Sequence, residues 1–174
     1  MRDYACIMID YNQPDFIKQI QKRISKEDLY LGETQEDIDT NQFGIENECH
    51  ITICYGLEND VKFDDFKKYL FPLNEYKTIL INISLFENDL FDVLKIDAKC
   101  PKASESNKLI RDNFDVHTDF KEYHAHITIG YLKKGRGKKY TKKLLDKIDI
   151  LTPIRFNYSY SKNGKNINEL YDNL

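Results

Sequence analysis

The chain has 174 residues, of which 41% are hydrophobic and 13% aromatic. That suffices for the core of one ordinary domain, or one domain built of two similar lobes. A net charge of -3 with 32% charged residues argues against bulk attraction to a nucleic-acid backbone. It also speaks against a nucleic-acid duplex as a stable partner. No apolar run approaches the roughly 20 residues that span a bilayer, and Met1-Arg2-Asp3-Tyr4 does not open a signal-peptide core. Cys6, Cys49, Cys54 and Cys100 form no Cys-x-x-Cys pair, which fits reduced thiols in a cytoplasm.

Residues 4–10 read as a buried strand, and Pro14 suits the opening of a helix in which Phe16, Ile17, Ile20 and Ile24 recur at helical spacing. A short strand is expected at 29–31. Residues 32–48 are acidic and polar, either a solvated loop or a lid leading into His50. Residues 60–70 read as a helix stopped by Pro72. Runs 78–86 and 91–98 form a β-hairpin around 87–90. Pro101 opens a helix to 114, residues 124–131 form a strand, and a basic stretch spans 133–143. Leu144, Leu145 and Ile148 predict a short helix or turn. A strand at 154–160, a turn at 162–165 and a returning tail complete an α+β pattern.

Two of these runs nearly repeat: His50-Ile51-Thr52-Ile53-Cys54-Tyr55-Gly56 and His126-Ile127-Thr128-Ile129-Gly130-Tyr131. Alternate residues of a strand share a face. His50 therefore projects with Thr52, and His126 with Thr128. In regular strands Ile51, Ile53 and Tyr55 face a core, as do Ile127, Ile129 and Tyr131. Packing alone gives no reason to duplicate both polar residues at one offset. Two imidazoles can act as base and acid near neutral pH. A hydroxyl two residues along can donate to a non-bridging phosphate oxygen, where charge concentrates. The residues leave both assignments of acid and base open.

Paired His-x-Thr motifs in a chain of this length resemble the 2H phosphoesterase superfamily. The resemblance implies one bilobal α+β domain over residues 1–174, two pseudo-symmetric lobes with antiparallel sheets facing a cleft and helices outside. It also implies metal-free, cofactor-free phosphodiester hydrolysis, with catalytic roles for His50, Thr52, His126 and Thr128. Segments 50–57, 82–88, 92–97 and 131–140 most resemble the phage anti-CBASS phosphodiesterases. That implies cleavage of 3′–5′ linkages in cyclic oligonucleotide immune signals, such as cGAMP, in a host cytoplasm. The nucleophile would be the neighbouring 2′-hydroxyl.

Tyr11 and Phe86, each near a strand end, are candidates to stack a base. Lys138 and Lys139, with Lys133, Lys134 and Arg136, are candidates to attract phosphate. Three rivals remain open. His50, Cys54, His124 and His126 are zinc-ligand types and share one side of regular strands. A nucleotide-binding module would use the same cleft without cleavage. An RNA 2′,3′-cyclic phosphodiesterase would differ in substrate only. His117 and His124 have no assigned role.

Overall fold

The computed structural model describes residues 4–39, 42–143 and 150–174. In chain order the elements are β1 (Ala5–Tyr11), α1 (Asp15–Arg23), α2 (Gln35–Asp39), β2 (His50–Leu57), α3 (Phe63–Phe66), β3 (Thr78–Glu87), β4 (Phe91–Lys99), α4 (Pro101–Asn113), β5 (His126–Lys133), β6 (Lys142–Lys143), β7 (Ile150–Leu151), β8 (Pro153–Lys162) and β9 (Lys165–Tyr171). The helix or turn expected at Leu144, Leu145 and Ile148 lies outside the described residues.

The strands form two antiparallel sheets, ordered β2-β1-β8-β9 and β5-β4-β3-β6, with β7 also pairing with β3. This is the α+β architecture expected from the sequence. β1 lies between β2 and β8 and is buried along its whole length. The β8–β9 hairpin closes through Asn163 and Gly164, both at positive φ, the conformation that a tight two-residue hairpin turn requires.

The helices exchange lobes. α1 follows β1 of the first sheet but contacts β5 of the second. α4 follows β4 of the second sheet but contacts β2 of the first. Helix α1 carries Asp15 in its first turn and Lys22 and Arg23 in its last, charges that complement the helix dipole. Helix α4 opens on Pro101 and buries Ala103, Ser106, Asn107 and Ile110. One hydrophobic cluster contains Ile7, Ile51 and Phe156 of the first sheet with Ile83, Leu94 and Ile127 of the second.

Three local expectations change. Residues 60–70 hold only the single turn α3 and a following 3-10 turn at Lys67–Tyr69. Leu29 makes a lone bridge to Leu132 and no strand of its own. The acidic segment is fastened to the edge of β5. Tyr30 N–H donates to Tyr131 O, Tyr131 N–H to Gly44 O and Glu46 N–H to Ile129 O, at 2.7–3.0 Å.

Candidate active site

β2 and β5 are the terminal strands of their sheets, and their Cα atoms approach within 8 Å. One His-x-Thr motif comes from each sheet, and His50 is near enough to His126 to act on it electrostatically. Pairing places His50 opposite Asp10 and Thr52 opposite Met8. In the second sheet His126 lies opposite Asp97 and Thr128 opposite Lys95.

Each motif strand carries a β-bulge at the residue after the threonine. Ile7 and Met8 pair with Cys54 and Thr52, leaving Ile53 extra. Leu94 and Lys95 pair with Gly130 and Thr128, leaving Ile129 extra. A bulge resets the alternation of a strand. Ile51, Ile53 and Cys54 are buried while Tyr55 is exposed. Ile127, Ile129 and Gly130 are buried while Tyr131 is half-buried. Strict alternation assigned Tyr55 and Tyr131 to the core and Cys54 to the site side, and the bulges reverse this. Cys54 faces the core, where burial pushes its thiol up to about 12. It stands apart from the histidines of the supposed zinc set. Among the described residues no three His, Cys, Asp or Glu side chains converge on a metal-sized space.

The bulged carbonyls are held from the exchanged helices. Asn107 of α4 donates to Ile53 O at 2.8 Å. Gln21 of α1 donates to Ile129 O at 3.2 Å, an oxygen that also accepts from Glu46 N–H. Gly130 meets this contact directly: a Cβ there would stand 2.9 Å from Gly44 O. Tyr123 donates its hydroxyl to Thr52 O at 2.8 Å, tying the approach to β5 onto β2.

The two histidines differ. His126 Nδ1 lies 2.9 Å from His124 O, so the neutral ring donates from Nδ1 and bears its lone pair on Nε2. Burial, then the charge of Lys95 and the neighbouring His50 ring, hold the His126 pKa below 6.5 against the raising effects of the His124 carbonyl and Asp97. His50 Nδ1 is buried with no hydrogen-bond partner among the described residues. The His124 ring is exposed beside Glu122, so its backbone carbonyl is what serves the site. His117 stacks on Tyr4 and lies 2.8 Å from Glu58, and its backbone N–H donates to Gly56 O at the far end of β2.

Two cations on the histidine faces were not singled out from the sequence. Arg155 of β8 lies opposite Asp10, and its Nε donates to Asp10 at 2.8 Å. Lys95 lies between Thr128 and Ser84 in adjacent strands. The available signal was charge alternating with Val93, Leu94 and Ile96 along β4, which only pairing could place at the site.

The substrate-binding candidates divide. Tyr11 is 4% exposed, and its hydroxyl bonds Tyr76 O and Thr78 Oγ1 at 2.9 Å. It is a core residue because β1 is covered on both faces, and the stacking role is corrected. Phe86 pairs with Val93, which pairs with Tyr131. These three share the face of His126, one row beyond Thr128. Phe86 is exposed and meets exposed Phe120 edge-on, centroids 5.5 Å apart. Lys138 and Lys139 lie in a turn. Lys139 and Tyr140 line a groove with Phe16, Ile20 and Ile83, and Ile83 points away from Asn82 and Ser84. Lys139 is also paired with Asp28 at 2.7 Å. For Lys139 this pairing and this groove take the place of the expected contact with phosphate beside the histidines.

All four cysteines are free and buried. No helix among the described residues is long and apolar enough to cross a membrane.

No family model matches the chain, and no curated protein matches it. Among solved structures it is similar to Kluyveromyces marxianus Usb1, with a TM-score of 0.53 and 9% identity over 96% of this chain and 97% of that one. A structure of the same Usb1 with uridine monophosphate aligns at a TM-score of 0.45 and 7% identity, over 95% and 97% of the two chains. At 9% identity the likeness to Usb1 is one of fold.

Proposed function

We propose that this chain is a metal-independent 2H-type phosphodiesterase that opens 3′–5′ linkages of cyclic di- and trinucleotides, and so disarms the cyclic-oligonucleotide signals of bacterial immunity. The observation that carries the reading is the meeting of the two His-x-Thr edge strands, each with its bulge at the same place. The fold likeness to Usb1 agrees with it.

In this reading His126 is the base. Its depressed pKa keeps it neutral near pH 7, and the His124 carbonyl fixes the tautomer that bears a lone pair on Nε2. His126 takes the proton of the ribose 2′-hydroxyl, whose oxygen bonds to the adjacent phosphorus. The bond from phosphorus to the 5′-oxygen breaks, and His50 supplies the proton that the leaving oxygen needs. Thr52 and Thr128 donate to the non-bridging oxygens as charge gathers there. An internal nucleophile spares the entropy of positioning a separate one. The 2′,3′-cyclic phosphate so formed can be hydrolysed by the same pair with roles reversed. Phe86, with Phe120 beside it, offers an apolar surface for a base.

The test is incubation with cyclic di- and trinucleotides and with short RNA ending in a 2′,3′-cyclic phosphate, all in EDTA, with products resolved by chromatography. Linearised cyclic nucleotides are expected. Turnover of the RNA ends alone would move the assignment to an RNA 2′,3′-cyclic phosphodiesterase. Binding without turnover would make the protein a nucleotide-binding module. Activity lost in chelator and restored by zinc would overturn metal independence.

A further inference from the structure

The two lobes agree at their motifs and disagree beside them. Thr52 has Met8 as its cross-strand neighbour, buried and neutral. Thr128 has Lys95 in the corresponding place. The fold therefore accepts an apolar side chain at this position, and a lysine there calls for another explanation. Its side chain is only 16% exposed, and withdrawing an ammonium from water this far is unfavourable unless partners compensate. Ser84 Oγ accepts from Lys95 Nζ at 2.9 Å, and the Asp97 carboxylate is in direct contact with it. A lysine ammonium has three donors. Ser84 and Asp97 occupy two, and the third has no partner among the described residues.

We propose that Lys95 is an anion-binding residue of the cleft: its ammonium, held between Ser84 and Asp97, takes a phosphate oxygen alongside Thr128 and His126. This rests on the reading that the cleft receives a phosphate ester. A phosphate docking there would share the ammonium with Asp97, so that one carboxylate holds Lys95 in place while the site is empty. Such an N–H to phosphate bond is charge-assisted at both ends, among the stronger classes of hydrogen bond. The same charge acts on His126. The groups facing that ring are Lys95 and Asp97 on β4, His50 on β2 and the His124 carbonyl just before β5. Lys95 and His50 lower its affinity for a proton, while Asp97 and the carbonyl raise it.

The experiment uses the full chain, inorganic phosphate as probe, and the His126 ring signals in NMR as readout. It compares wild type with Lys95→Met, Lys95→Arg and Asp97→Asn. Lys95→Met gives the second lobe the side chain that the first already has, and an unchanged melting temperature confirms its fold. Phosphate is expected to bind Lys95→Met about tenfold more weakly or worse, the scale of one lost charged hydrogen bond. Lys95→Arg should stay within a few-fold of wild type, and Asp97→Asn should bind phosphate more tightly. The His126 titration should move up in Lys95→Met and down in Asp97→Asn, opposite signs that a purely structural role would not produce. Unchanged phosphate affinity and unchanged His126 titration in folded Lys95→Met would overturn the proposal. So would a wild type whose His126 signals ignore phosphate. Turnover is no part of the readout. An inactive wild type that gave all these responses would refute the catalytic reading and support the role of Lys95.

Discussion

The lobe around His50 and the lobe around His126 are built on one plan and charged differently. In the first, Asp10 has its side chain 11% exposed and is engaged by Arg155 and Asn157, while His50 Nδ1 is buried without a partner among the described residues. In the second, Asp97 is 34% exposed, Lys95 stands beside it, and His126 Nδ1 is anchored on a carbonyl. The motif residues are the same. Neighbouring strands set the charges that face each ring, and on these the proposed division of roles between the two histidines rests. Duplicated sequence thus gives duplicated geometry without duplicated charged surroundings.

The harshest way to break the comparison is to remove each ring. His50→Ala and His126→Ala should each lower kcat by about 10²–10⁴-fold, the usual contribution of one proton-transfer group. The double variant should be little worse than either single one, because the two act as a unit. A folded His126→Ala protein with wild-type turnover would end the assignment.

Substrate chemistry offers a cut of similar size. A 3′–5′ cyclic dinucleotide should be opened, while its 2′-deoxy analogue binds but stays whole, as paired binding and turnover assays would show. Comparable cleavage of the two would replace the internal nucleophile with water. Thr52→Ala and Thr128→Ala should cost less, about ten- to a hundredfold in kcat/KM, the worth of one hydrogen bond to a charged oxygen. A much larger loss in only one of them would show that the two clamps are unequal.

The pH profile sharpens the comparison further. The base must be neutral, so kcat/KM should rise with pH through a value below the ordinary 6.5 of histidine, as the lowered His126 pKa requires. A descending limb should follow as the acid loses its proton. The limbs belong to the interacting pair, and variants at Lys95 and Asp97 should move the ascending one in opposite directions. A rate climbing steadily through alkaline pH would exclude a histidine acid.

The smallest effect concerns the bulges. Asn107→Leu leaves the Ile53 carbonyl without its side-chain donor, which should cost about 1–3 kcal/mol of stability in denaturant melts. Gln21→Leu removes one of the two donors to Ile129 O together with the donor to Glu46 O and the acceptor of Gln13, so it should destabilise as well. Unchanged melts in both variants would mean that the bulges are not held as the structure describes.

The two motif strands, the β3–β4 and β8–β9 hairpins and α4 were legible in the chain alone. Each is specified by local periodicity and by turn residues such as Asn163-Gly164 and Pro101, which act over a few positions whatever surrounds them. The sequence also named His50, Thr52, His126 and Thr128, because their offset within a strand fixes a common face up to the threonine. What lies beyond that point depends on how distant strands pair. A bulge is a property of two strands in register, so Ile53 and Ile129 look like ordinary alternating residues until β1 and β4 are laid beside them. For the same reason Cys54 exchanged faces with Tyr55, and Lys95 and Arg155 arrived at the histidine faces from strands remote in sequence. Tyr11 went into the core because β1 is flanked and covered on both faces. Lys139 fell into the groove beside Ile83 and against Asp28 because the chain turns there after β5 ends. Local propensity fixes which residues of a strand point together, while pairing between distant strands fixes what they point at.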